Sequence, residues 1–177
     1  HLRGFRSGPP EIGRRMVVSG DRVYVSLGYG EPVTALDAST GKQLATFDGT
    51  DGARELLLTD GVLYVLADDM TAAEHEERKA EINRISPTLD IWYLFPRKPI
   101  SMYGTQRIVA IETDSGEPIW KRHFVASGEV MPTTMAVDDG RVCLQTVSRV
   151  VCLDASGGKD LWQSERPVAR SRLSWST

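Results

Sequence analysis

The sequence predicts an all-β chain: three consecutive four-stranded blades of a β-propeller, a fragment of a larger propeller, with one helical insertion in the second blade. Three observations predict it. An acid-x-x-x-Gly turn closes an apolar run three times, at Val33–Lys42, Ile108–Glu117 and Val150–Lys159. A Gly/Asp pair followed by an alternating run stands upstream of each turn, at Gly20–Val25, Asp60–Val65 and Asp139–Leu144. The last two turn glycines, Gly116 and Gly158, are 42 residues apart, which is the period of a four-stranded blade.

Composition agrees with this reading. The chain has 177 residues, 41% of them hydrophobic and 25% charged, enough for a real core. Two cysteines exclude a scaffold built on disulfides. No apolar run reaches membrane-spanning length, and a net charge of −3 speaks against a dedicated nucleic-acid binder. Both ends read as cuts through a longer polypeptide.

The first blade covers about residues 14–50, the second about 53–125 and the third about 131–166, leaving 167–177 as the start of a further strand or a linker. In each blade the Gly/Asp pair makes a tight hairpin, because glycine supplies the positive φ that such turns need. In the acid-x-x-x-Gly turn the acid accepts backbone N–H bonds and the glycine takes the left-handed position. In the third blade the strands are expected at about Thr133–Val137, Arg141–Thr146, Arg149–Leu153 and Lys159–Ser164. Gly41 and Gly116 are 75 residues apart, so the second blade carries an insertion, placed at about 70–106. It opens with the capping box Thr71-Ala72-Ala73-Glu74. A polar helix runs on to about Ile85, with Glu74 and Arg78 spaced for an i,i+4 pair, and Ser86-Pro87 ends it.

At the three turns the chain resembles the pyrroloquinoline-quinone-type repeat of quinoprotein alcohol dehydrogenase-like propellers, including the outer-membrane assembly lipoprotein type. The repeat motif is Ala-x-Asp-x-x-Thr-Gly-x-x-x-Trp. Ala35, Asp37, Thr40 and Gly41 match it in the first copy. Ala110, Gly116 and Trp120 match in the second, with Glu112 and Ser115 as variants. Asp154, Gly158 and Trp162 match in the third, with Cys152 and Gly157 as variants. The resemblance implies that the tryptophans sit on outer strands and dock adjacent blades. Ala45 stands where the first blade would carry one. The resemblance also implies an address in the periplasm or otherwise outside the cytoplasm.

Two kinds of relative follow from it. Some are quinone-dependent dehydrogenases of alcohols or sugars, which hold pyrroloquinoline quinone and usually calcium, often beneath two adjacent cysteines. Others are non-enzymatic propellers that present loops to protein partners. Here Cys143 and Cys152 are not adjacent. They face each other if Val147-Ser148 is a two-residue turn, and they read either as a disulfide or as a pair of small buried side chains. The histidines, His1, His75 and His123, lack ligand spacing, so no metal site is expected. Gly28-Tyr29-Gly30-Glu31-Pro32 reads as a turn rather than a phosphate loop, since no helix follows it.

The segment Ile91–Pro99 sets Trp92, Tyr93 and Phe95 beside Arg97. It reads either as an anchor of the insertion onto its own blade or as a partner contact, since aromatic and arginine side chains are frequent interface anchors. The favoured function is a non-catalytic interaction or scaffold module with no cofactor in this stretch. The alternative is part of a quinone-dependent dehydrogenase. The expected partners are the remaining blades or a second copy of the chain, and a protein.

Overall fold

A computed structural model describes residues 14–28, 30–69, 71, 73, 74, 76, 77, 80, 105–124, 130, 131, 133–146 and 149–164. Its strands form three four-stranded antiparallel sheets, each ordered as the chain runs. The first sheet contains β1 (Met16–Ser19), β2 (Arg22–Ser26), β3 (Val33–Asp37) and β4 (Gln43–Phe47). The second contains β5 (Ala53–Thr59), β6 (Val62–Asp68), β7 (Gln106–Glu112) and β8 (Pro118–Phe124). The third contains β9 (Ala136–Asp138), β10 (Arg141–Gln145), β11 (Val150–Asp154) and β12 (Asp160–Gln163). The first strands of the sheets neighbour one another, β5 lying beside both β1 and β9. That arrangement is the inner ring of a propeller segment.

The hairpin turns follow the order of their two central residues. Asp60 and Gly61, like Asp139 and Gly140, all take positive φ, as a type I′ turn demands. The first sheet reverses the pair, and there the positive φ falls on Gly20.

Alternation along the strands decides which sheet each side chain meets. Leu63, Val65 and Ala67 of β6, with Val109 and Ile111 of β7, pack against Tyr24, Val33, Ala35 and Phe47 of the first sheet. Their alternates Tyr64, Leu66, Ile108 and Ala110 pack against Val142, Leu144, Val151 and Leu153 of the third. The middle sheet is therefore apolar on both faces, and the core is two layers between sheets rather than a single centre.

The first strand of the third sheet starts later than the sequence suggests. It begins at Ala136, not Thr133. Thr133 has a φ of 63°, and the Thr134 hydroxyl donates to the carbonyl of Met131 at 2.8 Å. A chain turning there cannot also extend. Thr146 donates its N–H to the carbonyl of Arg149 at 2.7 Å, which closes the β10–β11 hairpin around the expected two-residue turn. Val147 and Ser148 themselves lie outside the described residues, as does Tyr29.

The capping box is formed. The Thr71 hydroxyl accepts the Glu74 N–H at 3.2 Å, and a Glu74 carboxylate oxygen accepts the Thr71 N–H at 2.8 Å. Ala73, Glu74, Glu76, Glu77 and Ala80 are helical and exposed. The rest of the expected helix, including Arg78 and Ile85, lies outside the described residues, and so the helical insertion as a whole is not established.

Candidate functional site

The three repeated turns share one hydrogen-bond plan. The glycine N–H donates to the carbonyl of the acid four residues earlier, at 2.8 Å for Gly41 and Gly158 and 2.9 Å for Gly116. The residue after each acid donates to the upstream hairpin: Ala38 to Asp21, Thr113 to Gly61 and Ala155 to Gly140. The acids then hold the turn from outside. A carboxylate oxygen of Asp37 accepts from the N–H and hydroxyl groups of both Ser39 and Thr40. These bonds bring the Asp37 carboxyl down to about 2, the side-chain bond from Ser39 first among them. Asp154 is lowered in the same way, by Ser156. Glu112 accepts from the Ser115 hydroxyl at 2.7 Å. All three acids are occupied in turn structure.

Trp120 lies between the second and third sheets. Its indole Nε1–H donates to the carbonyl of Ala155 at 2.7 Å, and its ring lies tilted beside that of Tyr64, centroids 6.1 Å apart. The six-membered ring rests on bare Gly158, where an added Cβ would stand 2.6 Å from Cε3. Arg122, two residues on, donates to the carbonyl of Gly158 at 3.1 Å and pairs with Asp160 at 2.9 Å.

The first and second sheets meet without a tryptophan. Ala45 is exposed. Phe47 packs near Gly116 instead, and Arg22 donates to the carbonyl of Thr113 at 3.3 Å, the counterpart of Ala155. Sequence reasoning missed both residues. The signal was present, because Phe47 sits six residues after its turn glycine, where the second blade has Arg122.

Trp162 is 48% exposed. It pairs in register with Cys152, and Cys152 with Cys143, on the face of the third sheet that points away from the second. This row repeats the Tyr64, Ala110 and Trp120 row of the second sheet. The two sulfurs are 3.0 Å apart and both cysteines are free thiols. Burial first, then the hydrogen bond with Cys152, pushes the Cys143 thiol up to about 11.

A polar cluster sits at the root of the insertion. Arg54 pairs with Asp68 at 2.5 Å, both side chains buried. Arg107 donates to the carbonyls of Gly49, Asp51 and Asp68 and pairs with the carboxylates of Asp51 and Asp69. The Asp69 N–H donates to the carbonyl of Thr105 at 2.8 Å, which ties the two ends of the insertion together. Trp92, Tyr93, Phe95 and Arg97 lie outside the described residues.

A family model described as outer membrane protein assembly factor BamB matches residues 4–84 and 97–175. Among curated proteins no significantly similar sequence was found. Three solved structures show the shared fold. The computationally designed Ika4 protein is 14% identical, with a TM-score of 0.56, over 90% of this chain and 76% of its own. The quinohemoprotein alcohol dehydrogenase ADHIIG of Pseudomonas putida HK5 is 18% identical, with a TM-score of 0.53, over 85% of this chain and 20% of its own. BamB of Moraxella catarrhalis is 12% identical, with a TM-score of 0.50, over 86% of this chain and 34% of its own. The chain thus spans about a third of the length of that BamB and a fifth of that dehydrogenase.

Proposed function

The chain belongs to the family described as outer membrane protein assembly factor BamB, and on that premise we propose that it is a non-catalytic propeller module that presents loops to a protein partner outside the cytoplasm. The observation that carries this reading is the bonding of Arg107. Its guanidinium is spent on three carbonyls and two carboxylates that clasp the base of the insertion. A buried arginine used this way is a mounting for a loop. The loop it mounts carries Trp92, Tyr93, Phe95 and Arg97, residue types that anchor interfaces.

The polar cluster at the root of the insertion makes a poor site for pyrroloquinoline quinone and calcium. Its carboxylates Asp51, Asp68 and Asp69 are each engaged by an arginine. No three metal-binding side chains converge among the described residues. The cysteines lie on the face of the third sheet rather than at its loop end. These residues do not fit that cofactor pair.

The experiment uses the whole protein. Affinity capture of crosslinked partners is compared between the native protein and a variant with Trp92, Tyr93 and Phe95 changed to Ala. The variant is expected to lose its partner and keep its fold. Robust turnover of an alcohol with a dye acceptor, after reconstitution with pyrroloquinoline quinone and calcium, overturns the proposal.

A further inference from the structure

The two middle strands of every sheet carry a cross-strand pair at the same place. In the first sheet it is Tyr24 opposite Ala35, in the second Tyr64 opposite Ala110, and in the third Cys143 opposite Cys152. The first two are packing pairs, a large ring beside a methyl group, with the ring next to Phe47 or Trp120. The third sheet keeps neither partner of that combination. It sets two thiols opposite each other, Cys152 buried and Cys143 partly so, with their sulfurs 3.0 Å apart.

The backbone places this pair where a bond can close. In an antiparallel hairpin, hydrogen-bonded and non-hydrogen-bonded pairs alternate. At one end of the β10–β11 hairpin the Thr146 N–H donates to the carbonyl of Arg149, and at the other the Ala155 N–H donates to the carbonyl of Gly140. Counting inward from either end makes Leu144 with Val151, and Val142 with Leu153, hydrogen-bonded pairs. Cys143 with Cys152 lies between them as a non-hydrogen-bonded pair. The α-carbons of such a pair stand about 4.5 Å apart, within the span of about 4.4–6.8 Å that a disulfide bridges. The sulfurs need to approach by only about 1 Å to reach bonding distance, which rotation about the two Cα–Cβ bonds can supply.

We infer that Cys143 and Cys152 are a redox site: the two thiols close into a cross-strand disulfide, tying β10 to β11, when the chain meets a disulfide oxidant. One thiolate attacks the S–S bond of the oxidant, forms a mixed disulfide and releases half of the oxidant as a thiol. The second thiolate attacks the protein sulfur of that mixed disulfide, forms the Sγ–Sγ bond and releases the other half. The protein loses two electrons and two protons, and the oxidant is reduced to the two thiols that carry them. Both sulfurs belong to one hairpin, so closure does not depend on what lies against the sheet. The inference does not rest on the proposed function.

Disulfide mapping of the whole protein tests it. The native protein is reduced, then held with reduced and oxidised glutathione at an oxidising ratio until the proportion of forms is constant. A second portion is held in the same buffer with urea. Both are quenched in acid, alkylated with a maleimide and digested with trypsin. Cleavage after Arg141, Arg149 and Lys159 puts the two cysteines in separate peptides, Val142–Arg149 and Val150–Lys159. From the folded protein these peptides are expected joined, two hydrogens lighter than their sum, with closed molecules exceeding open ones at least about tenfold. The ratio of closed to open is expected to be at least about tenfold higher in the folded protein than in urea, because the paired strands hold the sulfurs at a higher effective concentration. Two alkylated peptides, glutathione on either peptide, or pairing with a cysteine elsewhere in the protein overturns the inference. A ratio in the folded protein no higher than in urea overturns it too, because the fold would then resist the bond.

Discussion

Single side chains here show how much a fixed hydrogen-bond shell changes a carboxyl group. Asp37 is exposed, yet four donors from Ser39 and Thr40 hold it at about 2. Its folded value lies below the ordinary one, so its contribution to stability is present above the ordinary carboxylate range and is lost as pH falls through about 2. Carboxyl carbon shifts followed by NMR should give Asp37 a midpoint near 2, and Ser39→Ala with Thr40→Ala should return it toward 3.8. Glu55 is the opposite case. It is buried on β5, and one of its oxygens has no hydrogen-bond partner. Burial raises it, while the N–H groups of Met135 and Thr133 and the charge of Arg14 work the other way. For a raised carboxyl the folded state holds the proton more tightly, so stability falls as pH rises from the ordinary value through the folded one. Glu55→Gln keeps an acceptor for those N–H groups and removes the charge. Its melting temperature should exceed that of the native chain well above the ordinary carboxylate range, and should fall less steeply than the native chain's as pH rises out of that range. Cys143, pushed up to about 11, should alkylate at pH 8 about 200-fold more slowly than an ordinary thiol, because only the thiolate reacts. A mass two hydrogens low, with neither sulfur alkylated, would show instead that the pair had closed into a disulfide.

At the scale of the element, the turn glycines separate two costs that are usually confounded. Gly140 and Gly158 have nearly the same backbone, with φ of 69° and 68°. An added Cβ at Gly140 meets nothing within 4 Å, whereas at Gly158 it meets Trp120 at 2.6 Å. Gly140→Ala should therefore cost only backbone strain, about 1 kcal/mol. Gly158→Ala should cost that plus displacement of the indole, roughly 2–4 kcal/mol in all. Urea denaturation of the two variants measures the difference, and equal losses would mean that the indole yields freely. The turns and strands were legible in the sequence because glycine, aspartate and alternation act locally. The late start of β9 was not, because Thr133 adopts a positive φ that threonine seldom takes. The exchange of tryptophan for Phe47 and Arg22 was hidden for a different reason. It depends on which sheet face meets which turn, and a motif match at Ala45 reads only one position of that contact.

For the molecule as a whole, stability should be carried by the layers between sheets, and unequally. Trp120 lies in such a layer, hydrogen-bonded to Ala155 and seated on Gly158. Trp162 occupies the same place in its own blade but is 48% exposed. Truncating a buried aromatic removes its transfer free energy and leaves a cavity, so Trp120→Ala should cost roughly 3–5 kcal/mol. It should also leave the Ala155 carbonyl without its indole donor. Trp162→Ala should cost no more than about 0.5 kcal/mol, as at ordinary surface positions. Equal losses at both sites would mean that the layer between the second and third sheets contributes no more than the surface does.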